Sequence, residues 1–268
     1  MSPEKLVTVL GAGGWVGSSV ISELQRQGKP TCSVHRNNLE AWLKDTCNPG
    51  AVLYTIGLTA DFRAKPYETI AAHVTLLSRV MQRPGVETLI YLSSSRVYAK
   101  AATANETTAL TCLSADPSDL YNLSKLTGEC LILQDPRPGF KAVRLSNVVG
   151  PGQPRTNFVG SLLHEVRITG SAKIHQGPQT AKDYIALSDV TRILISLTEK
   201  SKERLYNLGT GKNRTHSEVA AWLKRQGATI TFADNPEWGP SFPVLDVQRL
   251  TSEYGSLGDP FDQQLIGM

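Results

Sequence analysis

The stretch LVTVLGAGGWVG, Leu6 to Gly17, constrains the fold of this chain more than any other. Leu6 to Leu10 is a short apolar run with β-branched residues, which reads as a buried parallel strand. It runs into Gly11, Gly14 and Gly17, and Val16 to Gln27 then carries Val20, Ile21 and Leu24 at helical spacing. Strand, tight turn and helix in that order make a phosphate site. The first glycine permits the turn, the second lets backbone approach a pyrophosphate, and the third lets helix and strand pack closely. The segment therefore predicts dinucleotide binding at Gly11, Gly14, Trp15, Val16 and Gly17.

Downstream, strands and helices alternate. Strands are expected at Thr31–Val34, Ala51–Ile56, Val86–Leu92 and Phe140–Leu145. Helices are expected at Leu39–Leu43, Tyr67–Met81 and Asp119–Leu133, the last with Ser118 as its cap. Lys100 to Ser118 reads as a polar loop. This succession predicts an α/β fold, a doubly wound parallel sheet, over residues 1–149. From Gly150 the texture changes to GPGQPR, a helix at Phe158–Ile168 and short mixed elements at 189–197, 205–208, 216–225 and 228–232. The main sheet reads as essentially complete by then. Residues 150–268 form a small mixed α/β C-terminal lobe, partly returning to the main sheet, with a cleft over the carboxyl ends of the strands.

Composition narrows the class. A net charge of +4 over 268 residues, with no run of Lys or Arg longer than two, does not mark a nucleic-acid or membrane binder, and neither partner is expected. Cys32, Cys47, Cys112 and Cys130 form no CxxC pair and no metal-ligand spacing, so no metal is expected and the thiols read as reduced. No signal peptide is expected, and no apolar run approaches the ~20 residues of a membrane span, which predicts a cytoplasmic protein.

The chemistry lies in YNLSK. Tyr121 and Lys125 are four apart on a predicted helix and project from one face. An ammonium beside a phenol favours the phenolate and lowers its pKa, which equips the tyrosine for proton transfer. Ser93 to Ser95 close an earlier strand, so their hydroxyls are expected in the same strand-end cleft, where one can bond an oxygen whose charge changes during hydride transfer.

Taken together, these residues resemble an extended short-chain dehydrogenase/reductase of the nucleotide-sugar epimerase/dehydratase type, with a Rossmann domain. GAGGWVG resembles the family's GxxGxxG, LSSSRVYAK its strand-end SS-x-x-VYG, and YNLSK its YxxxK. RLSNVVGPGQ resembles R-x-x-N-x-x-GPG, KDYIALSDV resembles RDYI-x-V-x-DV, and YNLGTG the segment before the last lobe. The resemblance implies Ser94, Tyr121 and Lys125 as catalytic residues, with Tyr121 and Lys125 also touching the cofactor. It implies Gly57 on the cofactor side and Ser95, Asn147 and Lys182 on the substrate side, Lys182 replacing a phosphate-binding arginine. A homodimer through the helices Tyr67–Met81 and Asp119–Leu133 is implied as well.

Departures from the family pattern sharpen the expectation. Where an acid normally holds the ribose 2′-hydroxyl of NAD stand His35 and Arg36, and Arg36 suits a 2′-phosphate, which favours NADP over NAD. One strand is nearly deleted between Asn38 and Pro49. The acid pair of the 4,6-dehydratases is replaced by Ser95 and Arg96, which argues against elimination. The C-terminal arginine that clamps the diphosphate has no clear counterpart: NPEWGPSFP offers Trp238, read as packing the small lobe, and Arg249 lies well beyond. The expected activity is hydride transfer at an alcohol or ketone carbon of a nucleotide-activated sugar, as 4-keto reduction or 4-epimerisation. The alternatives are an NADPH-dependent reductase of a non-nucleotide carbonyl and a non-catalytic NAD(P)-binding regulatory module.

Overall fold

In a computed structural model, described over residues 5–58, 61–237 and 242–262, the glycine-rich segment folds as β1 (Val7–Leu10) running into α1 (Trp15–Arg26). Then follow β2 (Thr31–Val34), α2 (Leu39–Lys44), β3 (Ala51–Tyr54), α3 (Pro66–Ile70), a π-helical turn (Ala71–Thr75) and α4 (Leu76–Met81). β4 (Thr88–Ser94) leads through a 3₁₀ turn (Ser95–Tyr98) to α5 (Asp119–Gln134) and β5 (Phe140–Leu145). The second half comprises β6 (Asn147–Val149), α6 (Phe158–Thr169), β7 (Ser171–Gln176), β8 (Ala181–Ala186) and α7 (Leu187–Glu199). It closes with β9 (Leu205–Leu208), β10 (Asn213–Thr215), α8 (His216–Arg225), β11 (Thr229–Glu237) and α9 (Gln248–Tyr254).

The main sheet is parallel throughout, in the order β2-β1-β3-β4-β5-β9. Successive strand residues face opposite layers, and the two cores divide accordingly. Val9, Leu53, Ile90 and Val143 pack with Val20 and Leu24 of α1 and Ile193 and Leu194 of α7. Leu10, Val52, Tyr91 and Ala142 pack on the other face with Leu77, Val80 and Ile132. Helices on both faces make this the doubly wound α/β arrangement expected from sequence.

Two features of the sheet refine that expectation. β2 is an edge: residues 39–50 hold only α2 and a loop, so the strand expected to be nearly deleted is absent there. Arg83 fastens the shortened connection, donating to the carbonyls of Trp42 and Cys47 (both 2.9 Å) with its guanidinium over the Trp42 ring. At the opposite edge the sixth strand, β9, comes from beyond residue 200, with α7 packed on α1. The second half thus completes the main sheet before building its own core from Leu162, Tyr184, Trp222 and Phe261. Ser118 does not cap α5. Its backbone is already helical (φ −73°, ψ −26°), and its hydroxyl instead accepts from Arg63 at 2.8 Å.

Two smaller sheets, β10-β8-β6 and β11-β7, are built in the second half of the chain. The first overhangs the carboxyl ends of the main strands. Trp15 bridges the halves, its indole Nε1–H donating to Pro151 O at 3.0 Å, and Trp238 lies outside the described residues. Among the described residues no helix is long and apolar enough to cross a membrane.

Candidate active site

A cleft of about 520 Å³ opens at the carboxyl end of the sheet. Its floor is the glycine turn. Gly11 has φ +87°, and a Cβ on Gly17 would stand 2.3 Å from Gly11 O, so only glycine allows α1 to start this close to β1. The α1 N-cap, Gly14, offers no side-chain cap, which leaves the first amides of the helix facing the cleft beside Trp15 and Val16. Unsatisfied N–H groups at a helix start that glycine brings close to β1 fit a dinucleotide pyrophosphate. His35 and Arg36 are exposed just past β2, with the His35 ring over Gly13. Arg36 has no ion pair among the described residues.

Ser94, Tyr121, Lys125, Gly57, Ser95, Asn147 and Lys182 all line the same cleft. Of the three strand-end serines, only two serve it in the expected way. Strand alternation turns the Ser93 hydroxyl onto the buried carboxylate of Glu129, whereas Ser94 lines the cleft with Tyr121. Ser94 Oγ also accepts from Arg96 N–H at 3.2 Å.

The electrostatics differ from the simple expectation. Burial raises the Tyr121 phenol above its ordinary value, opposed by the Ser94 hydrogen bond and the charge of Arg96. The Lys125 ammonium does not supply that opposition: it donates to Leu92 O at 2.8 Å. Burial brings Lys125 itself down to about 7, with Glu129 acting to raise it.

His73 was missed from the sequence; its signal was a lone histidine within an apolar helical stretch. The π-helical turn carries it, fully buried, edge-on against Tyr121 with ring centres 5.4 Å apart. Ser124 Oγ donates to Tyr121 O, so it accepts from His73 Nδ1–H at 2.8 Å. Nε2 then accepts the Leu58 amide at 3.2 Å, next to Gly57. This neutral tautomer is held by burial and by the Lys125 charge, which bring His73 down to about 2.

Arg96 and Lys182 also line the cleft, and neither forms an ion pair among the described residues. Lys182 lies over the Phe158 ring, 5.7 Å from its centre, at the start of α6, whose N-cap Asn157 makes no side-chain cap. Asp183, the one lining carboxylate among the described residues, is taken up by Thr210 N–H (3.1 Å), Thr210 Oγ1–H (3.0 Å) and Lys212 N–H (3.1 Å). Asn147 donates to Asp183 O at 2.9 Å. Arg249 lies elsewhere, paired with Glu106 (3.8 Å) and Glu203 (3.6 Å).

A parallel sheet carrying a glycine turn, and a strand-end serine beside Tyr-x-x-x-Lys, define an NAD(P)-dependent short-chain enzyme. Residues 7–209 match the model of the NAD dependent epimerase/dehydratase family, and the chain belongs to that family. It is 23% identical over 257 residues to an ADP-L-glycero-D-manno-heptose-6-epimerase of Alkalilimnicola ehrlichii, covering 80% of this chain and 79% of that one. To a putative UDP-arabinose 4-epimerase 2 of Arabidopsis thaliana it is 26% identical over 210 residues, 67% of this chain and 49% of the other. Among solved structures, MoeE5 in complex with UDP-glucuronic acid and NAD superposes with a TM-score of 0.80 at 22% identity, over 97% of each chain.

Proposed function

We propose that the protein reduces a keto group on a nucleotide-activated sugar, with NADP(H) as the preferred cofactor. The observation that carries the reading is Tyr121, kept as a phenol by burial and set with Ser94 in the cleft whose floor is the glycine turn. When bound there, the nicotinamide supplies the redox chemistry by giving or taking a hydride. Ser94 is placed to hydrogen-bond the substrate carbonyl oxygen, and Tyr121 O–H to deliver the proton that this oxygen gains. Lys125 is assigned to the cofactor, and Asn147 and Ser95 are assigned to the sugar. Exposed Arg36 and the absence of an acid at the end of β2 favour a 2′-phosphate. Lys182, with the uncapped start of α6, is assigned to the substrate diphosphate.

Epimerisation is the second reading, favoured by the two curated relatives, both named as epimerases. Elimination has less support, because Asp183 is the only lining carboxylate among the described residues and its oxygens are engaged. Exposed Tyr67, Ile70 and Leu123 on α3 and α5 support a homodimer through those helices.

Titration with NADPH and NADH, with analysis of any co-purifying cofactor, tests the first reading. Reversible binding of NADPH about tenfold tighter than NADH is expected. Tyr121→Phe is expected to lower turnover ~10²–10⁴-fold while retaining NADPH binding. Tightly retained NAD and a mixture of epimeric products would favour the second reading. Undiminished turnover in Tyr121→Phe would overturn both.

A further inference from the structure

His216, the first residue of α8, is fully buried, and neither of its ring nitrogens has a hydrogen-bond partner of ordinary geometry. A buried polar group left unbonded is costly, and each one in a fold asks for a reason. Helix formation does not supply it. α8 is started by the Thr215–Glu218 capping box, and the His216 backbone N–H is satisfied by Thr180 O at 2.9 Å. Packing does not require an imidazole either, since a hydrocarbon ring can fill a stacked position of this size.

What the ring touches is a wall of the cleft. It stacks on Phe158 with ring centres 4.1 Å apart and planes 23° apart, and Phe158 lines the cleft at the start of α6. Lys182 Nζ of β8 lies 5.7 Å from the centre of the same Phe158 ring, and its charge acts on His216. Among the described residues no other charge does. Arg214 of β10 and Glu218 of α8 pair with each other at 3.0 Å, and Arg214 also holds Asp259 and Asp262. Burial first, and then the Lys182 ammonium, bring the imidazole down to about 4, with the Gly177 backbone acting in the opposite sense. At pH 7 the ring of the free protein is therefore neutral.

The reading above gives Lys182 and the uncapped start of α6 to the substrate diphosphate. An anion there offsets the lysine field that helps to keep the imidazole neutral, and a second cation beside it becomes favourable. We propose that His216 is a positioning residue behind the Phe158–Lys182 wall, and that its ring takes a proton from solvent when a diphosphate settles on Lys182. The proposal rests on the diphosphate assignment and adds to it a residue that does not itself line the cleft. The complex then holds more protons than the free protein in the window above pH 4, so affinity rises as pH falls into that window.

Calorimetric titration of the protein–NADP complex with UDP-glucose and ADP-glucose at pH 7 and pH 5 tests this, since their diphosphates stay ionised throughout. His216→Phe keeps the stack and removes the proton site, and His216→Gln removes the site in a second way. From pH 7 to pH 5 the wild-type affinity should rise at least ~3-fold more than that of either variant. Lys125 and Asp183, whose own values are shifted, are common to all three proteins and cancel. At pH 5 the wild type should also take up a proton fraction on binding, read from two buffers of different ionisation heat, that the variants lack. The same pH dependence in wild type and variants would overturn the role of His216 and leave the nucleotide-sugar reading standing. If neither sugar nucleotide bound the wild type at either pH, both would fall.

Discussion

Behind β4 and in front of it, this protein buries charge in opposite ways. Behind it, Arg144 donates to Glu129 through Nε (3.0 Å) and Nη2 (2.7 Å) and to Tyr98 OH through Nη1 (2.7 Å). Tyr98 OH in turn donates to Asn207 Oδ1 at 2.9 Å, and Ser93 closes on Glu129, so every buried group there has a partner. In front, Lys125, Arg96 and Lys182 form no ion pair with any described residue, and burial lowers the pKa of each. Charges matched within the fold hold strands and helix together, whereas charges left unmatched at a cleft await a ligand.

The sharpest break of that contrast is Glu129→Gln. It leaves the Arg144 guanidinium buried without its counter-charge, and a loss of ~3–5 kcal/mol in unfolding free energy is expected. The double variant Glu129→Gln with Arg144→Met removes the stranded charge and should recover most of the loss. Urea midpoints for the three proteins measure this, and a single variant within 1 kcal/mol of wild type, roughly the worth of an exposed pair, would deny the pair its role.

Buried groups in front also make stability depend on pH. His73 falls from 6.5 to about 2 in the folded protein, so between those values the unfolded chain binds the extra proton. The stability this contributes is complete above pH 6.5 and is lost as pH falls toward 2. Lys125, brought from 10.5 to about 7, follows the same sign in a higher window, its contribution complete above pH 10.5 and lost on descent to about 7. Against His73→Asn, the wild type should lose ground steadily from pH 7 to pH 4, the asparagine variant keeping only the effects of other groups. A gap between the two proteins that stays constant over that range would show that His73 does not titrate into the fold.

Legibility from sequence divides along a related line. The glycine turn, Ser94 and the Tyr121–Lys125 pair were readable because each depends on local geometry: a turn only glycine permits, the end of a strand, one helical turn. The missing strand was readable by counting residues between Asn38 and Pro49. What escaped depends on contacts across the chain. Ser93 turns toward Glu129, 36 residues away, and Trp15 reaches Pro151, 136 residues away. The partial return of the second half to the main sheet was expected, but not that its strand β9 pairs beside β5. The Tyr121 pKa went the other way from the Tyr-Lys expectation because desolvation is set by packing around the ring, and the Lys125 ammonium had found a carbonyl.

The smallest expected effect is the most discriminating. Lys182→Met removes a half-buried cation with no described ion-pair partner, whose pKa burial and the Arg96 charge already lower. The methionine keeps the apolar stem against Phe158 and leaves no counter-charge stranded, so stability should stay within ~1 kcal/mol of wild type or rise. Set beside Glu129→Gln, the same measurement then reads two buried charges in opposite senses: one part of the fold, the other held ready for a ligand. A loss as large as that of Glu129→Gln would mean Lys182 is structural, and the division between the two sides of β4 would collapse.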